Sequence, residues 1–74
     1  MTLADCKEGD TVTITSIVGT GAIKQRLLDM GITKGTPIRV ERHAPLRDPL
    51  HIKVKGYSLA LRKTEAKMIE VEVV

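Results

Sequence analysis

The sequence is short of the residues that build large cores and covalent cross-links. Its 74 residues include no Trp, no Phe and one Tyr, so aliphatic side chains must form the core. Cys6 is the single cysteine, which excludes an internal disulfide or a cysteine zinc cluster and favours a reducing, cytoplasmic setting. No 18 apolar residues follow one another, and the opening MTLADCKEGD lacks a signal-peptide core. We expect one cytoplasmic domain over residues 1–74, without membrane insertion.

Features of an enzyme are also missing. No GxxxxGK[ST] phosphate loop occurs, and no serine, cysteine or histidine lies in a nucleophile motif. We therefore expect neither catalysis nor a cofactor. The net charge of +3 leaves nucleic-acid binding open as an alternative function. Scattered basic residues and a single aromatic side chain, Tyr57, disfavour it, because single-strand stacking needs several rings.

Apolar and polar residues alternate in several short runs, which is the period of half-buried strands. The runs are TVTITSI, PIRVERH, LHIKVK, LALR and MIEVEVV. The stretch from Ala22 to Met30 instead has helical spacing, with apolar residues at i, i+4 and i+7. The residues predicted to face the core are Val12, Ile14, Ile23, Leu27, Met30, Ile38, Val40, Ile52, Val54, Leu59, Leu61, Ile69, Val71 and Val73.

Two glycines mark the way out of the predicted helix. Gly31 stands where a left-handed C-terminal cap is expected, and Gly35 opens a second turn into the next strand. The predicted fold class is mainly β: a small barrel or sandwich of about five strands, with one short helix between the first and second strands.

These elements together resemble the FeoA (ferrous iron transport protein A) family. The resemblance spans nearly the whole chain and lies in Leu3 and Gly9 before the first strand, in RLLDMGITKG and in IKVKGYSLALRKTEA. Cys6 departs from the apolar residue usual in the family, and we interpret it as a small buried hydrophobe. The resemblance implies an SH3-like β-barrel in the bacterial cytosol. It also implies a partner, FeoB, a membrane Fe(II) transporter with a cytosolic G-protein domain.

A partner surface is predicted on the helix, its glycine exit and two loops. Leu28 falls off the buried stripe and has basic neighbours, which suits a mixed partner surface, although it could instead cover an open end of the barrel. Arg26 is either a side chain whose stem covers the core or a group that stabilises phosphate charge in a partner GTPase. The candidate partner-binding residues are Lys24, Arg26, Leu28, Gly31, Gly35, Arg47 and Tyr57.

A metal site is a weaker alternative. His43 and His51 flank a proline-containing loop with Asp48 nearby, and two imidazoles with a carboxylate suit Fe(II) or Zn(II). Both histidines fall in the polar register, so solvent-facing side chains are the favoured interpretation. Unpaired strand edges leave a weak homodimer open as well.

Overall fold

The computed structural model describes residues 1–43 and 48–73, without the side chain of His43. A 3-10 turn, Leu3–Asp5, precedes the regular elements. These are β1 (Thr11–Ile17), α1 (Gly21–Asp29), β2 (Pro37–His43), β3 (Leu50–Val54), β4 (Tyr57–Leu61), α2 (Lys63–Ala66) and β5 (Ile69–Val73). The prediction of five strands, with a helix between the first and second, is confirmed.

All five strands join one antiparallel sheet with the order β4-β3-β2-β1-β5. Because the side chains of a strand alternate between faces, each strand gives one face to a common core. The core also takes in Leu3 and Cys6 from the N-terminal segment and Ala66 from α2. The prediction that Cys6 is a buried small hydrophobe is confirmed.

The helix ends in a Schellman motif. Gly31 has φ +87°, its N–H bonds to the carbonyl of Leu28, and the N–H of Ile32 bonds to the carbonyl of Leu27. Leu27 and Ile32 are both fully buried, which is the apolar contact that accompanies this motif. Helix α1 is therefore anchored through its C-terminal end, by a residue, Ile32, that the periodicity did not include.

Two residues predicted to be buried are not. Ile23 is 44% exposed, because it lies in the first turn of α1 and only Leu27 within that helix is fully covered. Val73 is 63% exposed, because it lies at the last position of β5, at the end of the ladder with β1. Met30 and Leu59 are half-buried and pack against the core.

The β3–β4 hairpin is closed by a two-residue turn. Its two turn residues are Lys55 and Gly56, with φ of +50° and +86°, and Tyr57 is already the first residue of β4. Positive φ at both turn positions matches the right-handed twist of a two-residue hairpin. The turn thus fixes the position of Tyr57 at the start of an edge strand.

A β-bulge interrupts the pairing of β2 with β3. Val40 pairs with Ile52, but Arg42, not Glu41, pairs with His51. A bulge inserts one extra residue and re-aims the side chains that follow it. Arg42 consequently lies opposite His51 although simple alternation would put Glu41 there.

Candidate functional site

Helix α1 and the β3–β4 hairpin meet where the chain leaves the helix. We call this region the helix-exit surface and define it by Leu28, Met30, Gly31, Lys55 and Tyr57. The hydroxyl of Tyr57 donates a hydrogen bond to the carbonyl of Met30 across 27 positions of sequence. That bond links the edge strand β4 to the C-terminal end of α1, where carbonyl groups otherwise lack helical hydrogen-bond partners.

Gly31 lies in close contact with the Tyr57 side chain. A Cβ atom at this position would lie 2.9 Å from the Tyr57 hydroxyl oxygen and 3.9 Å from Cδ of Lys55. The close approach and the positive φ both require glycine here. The prediction of a left-handed cap at Gly31 is confirmed, and the structure adds a second reason for the residue.

The helix-exit surface combines apolar and basic groups. Leu28 is half-buried, Tyr57 is 43% exposed, and Lys55 is exposed beside them. Lys24, one helical turn before Leu28, is also exposed. Three of the predicted partner residues, Leu28, Gly31 and Tyr57, thus belong to one surface, and Lys55 was not among the predicted residues.

Arg26 forms an ion pair with another residue of this chain. Its Nη1 lies 2.9 Å from Oε2 of Glu65, a carboxylate that is 8% exposed, while the arginine side chain is 63% exposed. Oε1 of the same carboxylate accepts the backbone N–H of Arg62 at 3.0 Å. Glu65 was not predicted from the sequence, because an arginine precedes α2 where Ser, Thr or Asp would have indicated a capping box.

The remaining predicted partner residues lie apart or outside the description. Gly35 has φ +86° and donates its N–H to the carbonyl of Ile14 at 2.7 Å, so it links the loop to β1. Arg47 lies outside the described residues. Neither residue contributes to the helix-exit surface as defined.

Of the three candidate metal ligands, the structure describes the side chains of His51 and Asp48. His51 is half-buried and pairs with Arg42, whereas the backbone of His43 pairs with Leu50. Asp48 accepts the backbone N–H of Lys63 at 3.2 Å. Among residues 1–43 and 48–73, no three His, Cys, Asp or Glu side chains are grouped to hold an ion, and the side chain of His43 lies outside that description.

The structure also has a surface depression that was not predicted from the sequence. A depression of about 450 Å³ on the outer face of the sheet is lined by Glu41, Arg42, His51 and Ser58. Ser58 donates from Oγ to Oε1 of Glu41 at 2.7 Å. The bulge that positions Arg42 has no clear sequence signal, which explains why alternation alone did not find this group.

Among the described residues, two groups have pKa values shifted from their ordinary ones. Burial raises the pKa of the Cys6 thiol, and the nearby carboxylates of Asp10 and Asp5 add to that effect. Hydrogen bonds from the backbone N–H and hydroxyl of Thr2 lower the pKa of Asp5. Neither group belongs to the helix-exit surface, and a thiol with a raised pKa is a poor nucleophile.

No helix in the described part of the chain is both long enough and apolar enough to span a membrane.

The chain has relatives of known fold. An FeoA-like protein of Clostridium acetobutylicum is 40% identical, with a TM-score of 0.93 over 100% of this chain and 86% of that chain. The FeoA of Stenotrophomonas maltophilia, described as a prokaryotic SH3 domain protein complexed with zinc, is 30% identical, with a TM-score of 0.86 over 97% of this chain and 89% of that chain. The described architecture is therefore that of a small SH3-like domain.

The family follows from the sequence comparisons. Residues 1–73 match the family model described as FeoA domain. An Fe(2+) transport protein A/Fe(2+) transporter FeoB fusion protein of Porphyromonas gingivalis is 38% identical over 74 residues, which are 100% of this chain and 9% of that protein. This chain belongs to the FeoA domain family, and it spans about a tenth of the length of that fused relative.

Proposed function

We propose that this chain is an accessory domain of ferrous iron uptake that docks on the cytosolic part of an FeoB transporter. Support comes from family membership and from the relative that carries an FeoA part and an FeoB part in one polypeptide. Fusion keeps two parts at a high effective concentration, which serves a pair of modules that act together. The proposed site of action is the cytosol.

The helix-exit surface carries the proposal at the level of residues. It is a half-buried leucine and an exposed tyrosine rimmed by lysines, the mixed character of a protein interface core with a charged border. It is also pre-organised, because the Tyr57 bond and the Schellman motif hold it before any partner arrives. A rigid surface loses little conformational entropy on binding.

The proposed mechanism is a bias of the transporter's conformation or nucleotide state, without catalysis by this chain. Such a ligand acts only when it binds one state of its partner more tightly than another. In this mechanism Arg26 positions α1 through Glu65, and the exposed lysines provide the electrostatic contact.

Calorimetric titration of the chain with the cytosolic part of FeoB tests the proposal. Lys24→Glu and Lys55→Glu reverse charges at the surface and are expected to weaken binding by about tenfold or more. Lys67→Glu makes the same charge change on an exposed residue beside α2 and is expected to leave the affinity within about twofold. Equal losses for all three variants, or no heat from the unmodified chain, would reject docking through this surface.

A further inference from the structure

The outer face of β2 and β3 carries more positive than negative charge among the described residues. We call it the basic face and define it by Arg39, Arg42, His51 and Lys53. Arg39 pairs directly with Lys53, and Arg42 pairs directly with His51. Side chains opposite each other in an antiparallel pair share a face with their Cβ atoms about 5 Å apart. The face is therefore two cross-strand pairs of cationic or titratable side chains.

Within residues 1–43 and 48–73, no ion pair involves the basic face. Within the described residues, the ion pairs are those of the N-terminus with Glu70 and of Arg26 with Glu65, and neither involves the basic face. Glu41 lies on the same face and accepts a hydrogen bond from Ser58, so this one carboxylate stands against the three cations Arg39, Arg42 and Lys53. Like charges placed directly opposite each other destabilise a sheet. An arrangement with that cost points to an external anion.

The bulge in β2 adds to this face. Regular alternation after Val40 would place Glu41 opposite His51 and turn Arg42 to the other face of the sheet. The bulge instead places Arg42 opposite His51, while Glu41 still lines the outer-face depression beside both of them. Bulges re-aim side chains at functional places in sheets. The positive character of the face thus depends on an irregularity of the backbone as well as on composition.

Charge is distributed unevenly across the sheet. Strand β5, next to β1 at the far edge, has the acidic residues Glu70 and Glu72 in register with Ser16 and Thr13. Strand β1 between the two charged regions presents threonines and Ser16 in its polar register. An extended anionic surface would orient the molecule with β2 and β3 toward it.

We propose that the basic face binds the anionic phospholipid surface of a bilayer. A broad, exposed group of arginine and lysine side chains suits many headgroups at once, and the face contains no tyrosine, phenylalanine or tryptophan ring on which a nucleic-acid base could stack. The choice of a bilayer over other polyanions rests on the proposed function, because docking on a membrane transporter holds the domain within reach of lipid. Few cations give weak binding alone, which becomes effective when a partner keeps the domain near the membrane.

Vesicle co-sedimentation of the intact chain tests the proposal without any transporter. The probes are phosphatidylcholine vesicles and vesicles in which about a third of the lipid is phosphatidylglycerol, at low salt. We expect binding to the anionic vesicles alone. The double variant Arg39→Gln/Lys53→Gln should lose about 25-fold in partition coefficient, from about fivefold per basic residue. Because the assay contains no FeoB, its failure is distinguishable from failure of docking on the transporter.

A charge-matched control separates the basic face from net charge. Lys63→Gln/Lys67→Gln also removes two positive charges, from exposed residues on and beside α2 and outside the sheet. This variant should lose less than about threefold. Equal losses in the two double variants, or no binding of the unmodified chain to anionic vesicles, would overturn the proposal. Release of the chain from vesicles by an equal phosphate concentration of generic DNA or RNA would overturn the assignment to lipid and favour a nucleic-acid surface.

Discussion

At the scale of single residues, Gly31 and Gly35 have almost the same backbone and different surroundings. Their φ angles are +87° and +86°, yet a Cβ at Gly31 would lie 2.9 Å from the Tyr57 hydroxyl, whereas nothing lies within 4 Å of a Cβ at Gly35. The pair separates the cost of a left-handed conformation from the cost of a close contact.

Alanine at each glycine gives a direct comparison. Gly35→Ala should cost about 1–2 kcal/mol of unfolding free energy, which is the strain of a side chain in the left-handed region. Gly31→Ala should cost about 1 kcal/mol more, because the Tyr57–Met30 hydrogen bond must move. Urea denaturation measures both. In a Tyr57→Phe background the difference should shrink, and an equal cost for the two alanines in the parent chain would show that Tyr57 does not confine Gly31.

Cys6 is expected to be chemically quiet in the native chain. Its side chain is buried, and its Sγ lies 3.7 Å from the carbonyl oxygen of Thr2, which accepts its weak hydrogen bond. Burial raises its pKa, so the folded state holds the thiol proton more tightly than the unfolded chain does. This contribution to stability is present below the ordinary value of 9.0 and is lost as pH rises above it. Alkylation by iodoacetamide at pH 8 should be about 100-fold slower than in urea, and similar rates would contradict the buried position.

At the scale of secondary-structure elements, one carboxylate joins the two helices. Oε1 of Glu65 accepts a hydrogen bond from the backbone N–H of Arg62, just before α2. Oε2 forms an ion pair with the Arg26 guanidinium of α1. Glu65 therefore has two roles: it caps the start of the four-residue helix α2, and it links that helix to α1.

Removing the two partners should have unequal effects. Arg26→Ala should cost about 1 kcal/mol, because the guanidinium is mostly exposed and its attraction is screened. Glu65→Ala should cost about 2 kcal/mol, because the helix-start hydrogen bond is lost too. A double-mutant cycle by thermal unfolding should give a coupling near 1 kcal/mol. A coupling close to zero would mean that the ion pair does not hold α1 to α2.

Sequence periodicity predicted the strands well because their alternation directly reflects one buried face. It predicted Val12, Ile14, Ile52 and Leu61 as core residues, and all four are buried. It was wrong for Ile23, because a short helix docked by its C-terminal end leaves its first turn uncovered, a tertiary fact that spacing does not contain.

The candidate surfaces were harder to predict for similar reasons. The Gly31 cap follows from glycine's backbone freedom and was predicted, whereas the Tyr57–Met30 contact joins residues 27 positions apart and has no local signal. The bulge at Glu41 and Arg42 depends on pairing with β3, so the basic face could not be inferred from β2 alone. Whether the helix-exit surface binds a partner stays a prediction.

At the scale of the whole molecule, the domain has two exposed surfaces of different chemistry. The helix-exit surface is mixed apolar and basic, and the basic face is purely polar and lies on β2 and β3. A domain with both could contact a transporter and the adjacent membrane together, each contact strengthening the other through effective concentration.

Repulsion between Arg39 and Lys53 on the basic face should lower the free energy of unfolding of the domain. Arg39→Thr removes one member of a like-charged cross-strand pair and introduces a residue that favours strands. We expect the unfolding free energy to rise by about 0.2–1 kcal/mol, with the gain shrinking as salt is added. The parallel change Lys63→Thr, outside the sheet, should bring no such gain. A salt-independent loss of stability in Arg39→Thr would show that Arg39 and Lys53 do not repel each other.

The most direct test of the account is an NMR titration of the isotope-labelled chain with the cytosolic part of FeoB, with and without a GTP analogue. The account predicts shifted amide signals clustered on Leu28, Gly31, Lys55 and Tyr57, with little change at Arg39 and Lys53. A difference between nucleotide states would make the contact regulatory. Shifts confined to the basic face, or none at hundreds of micromolar partner, would contradict docking through the helix-exit surface.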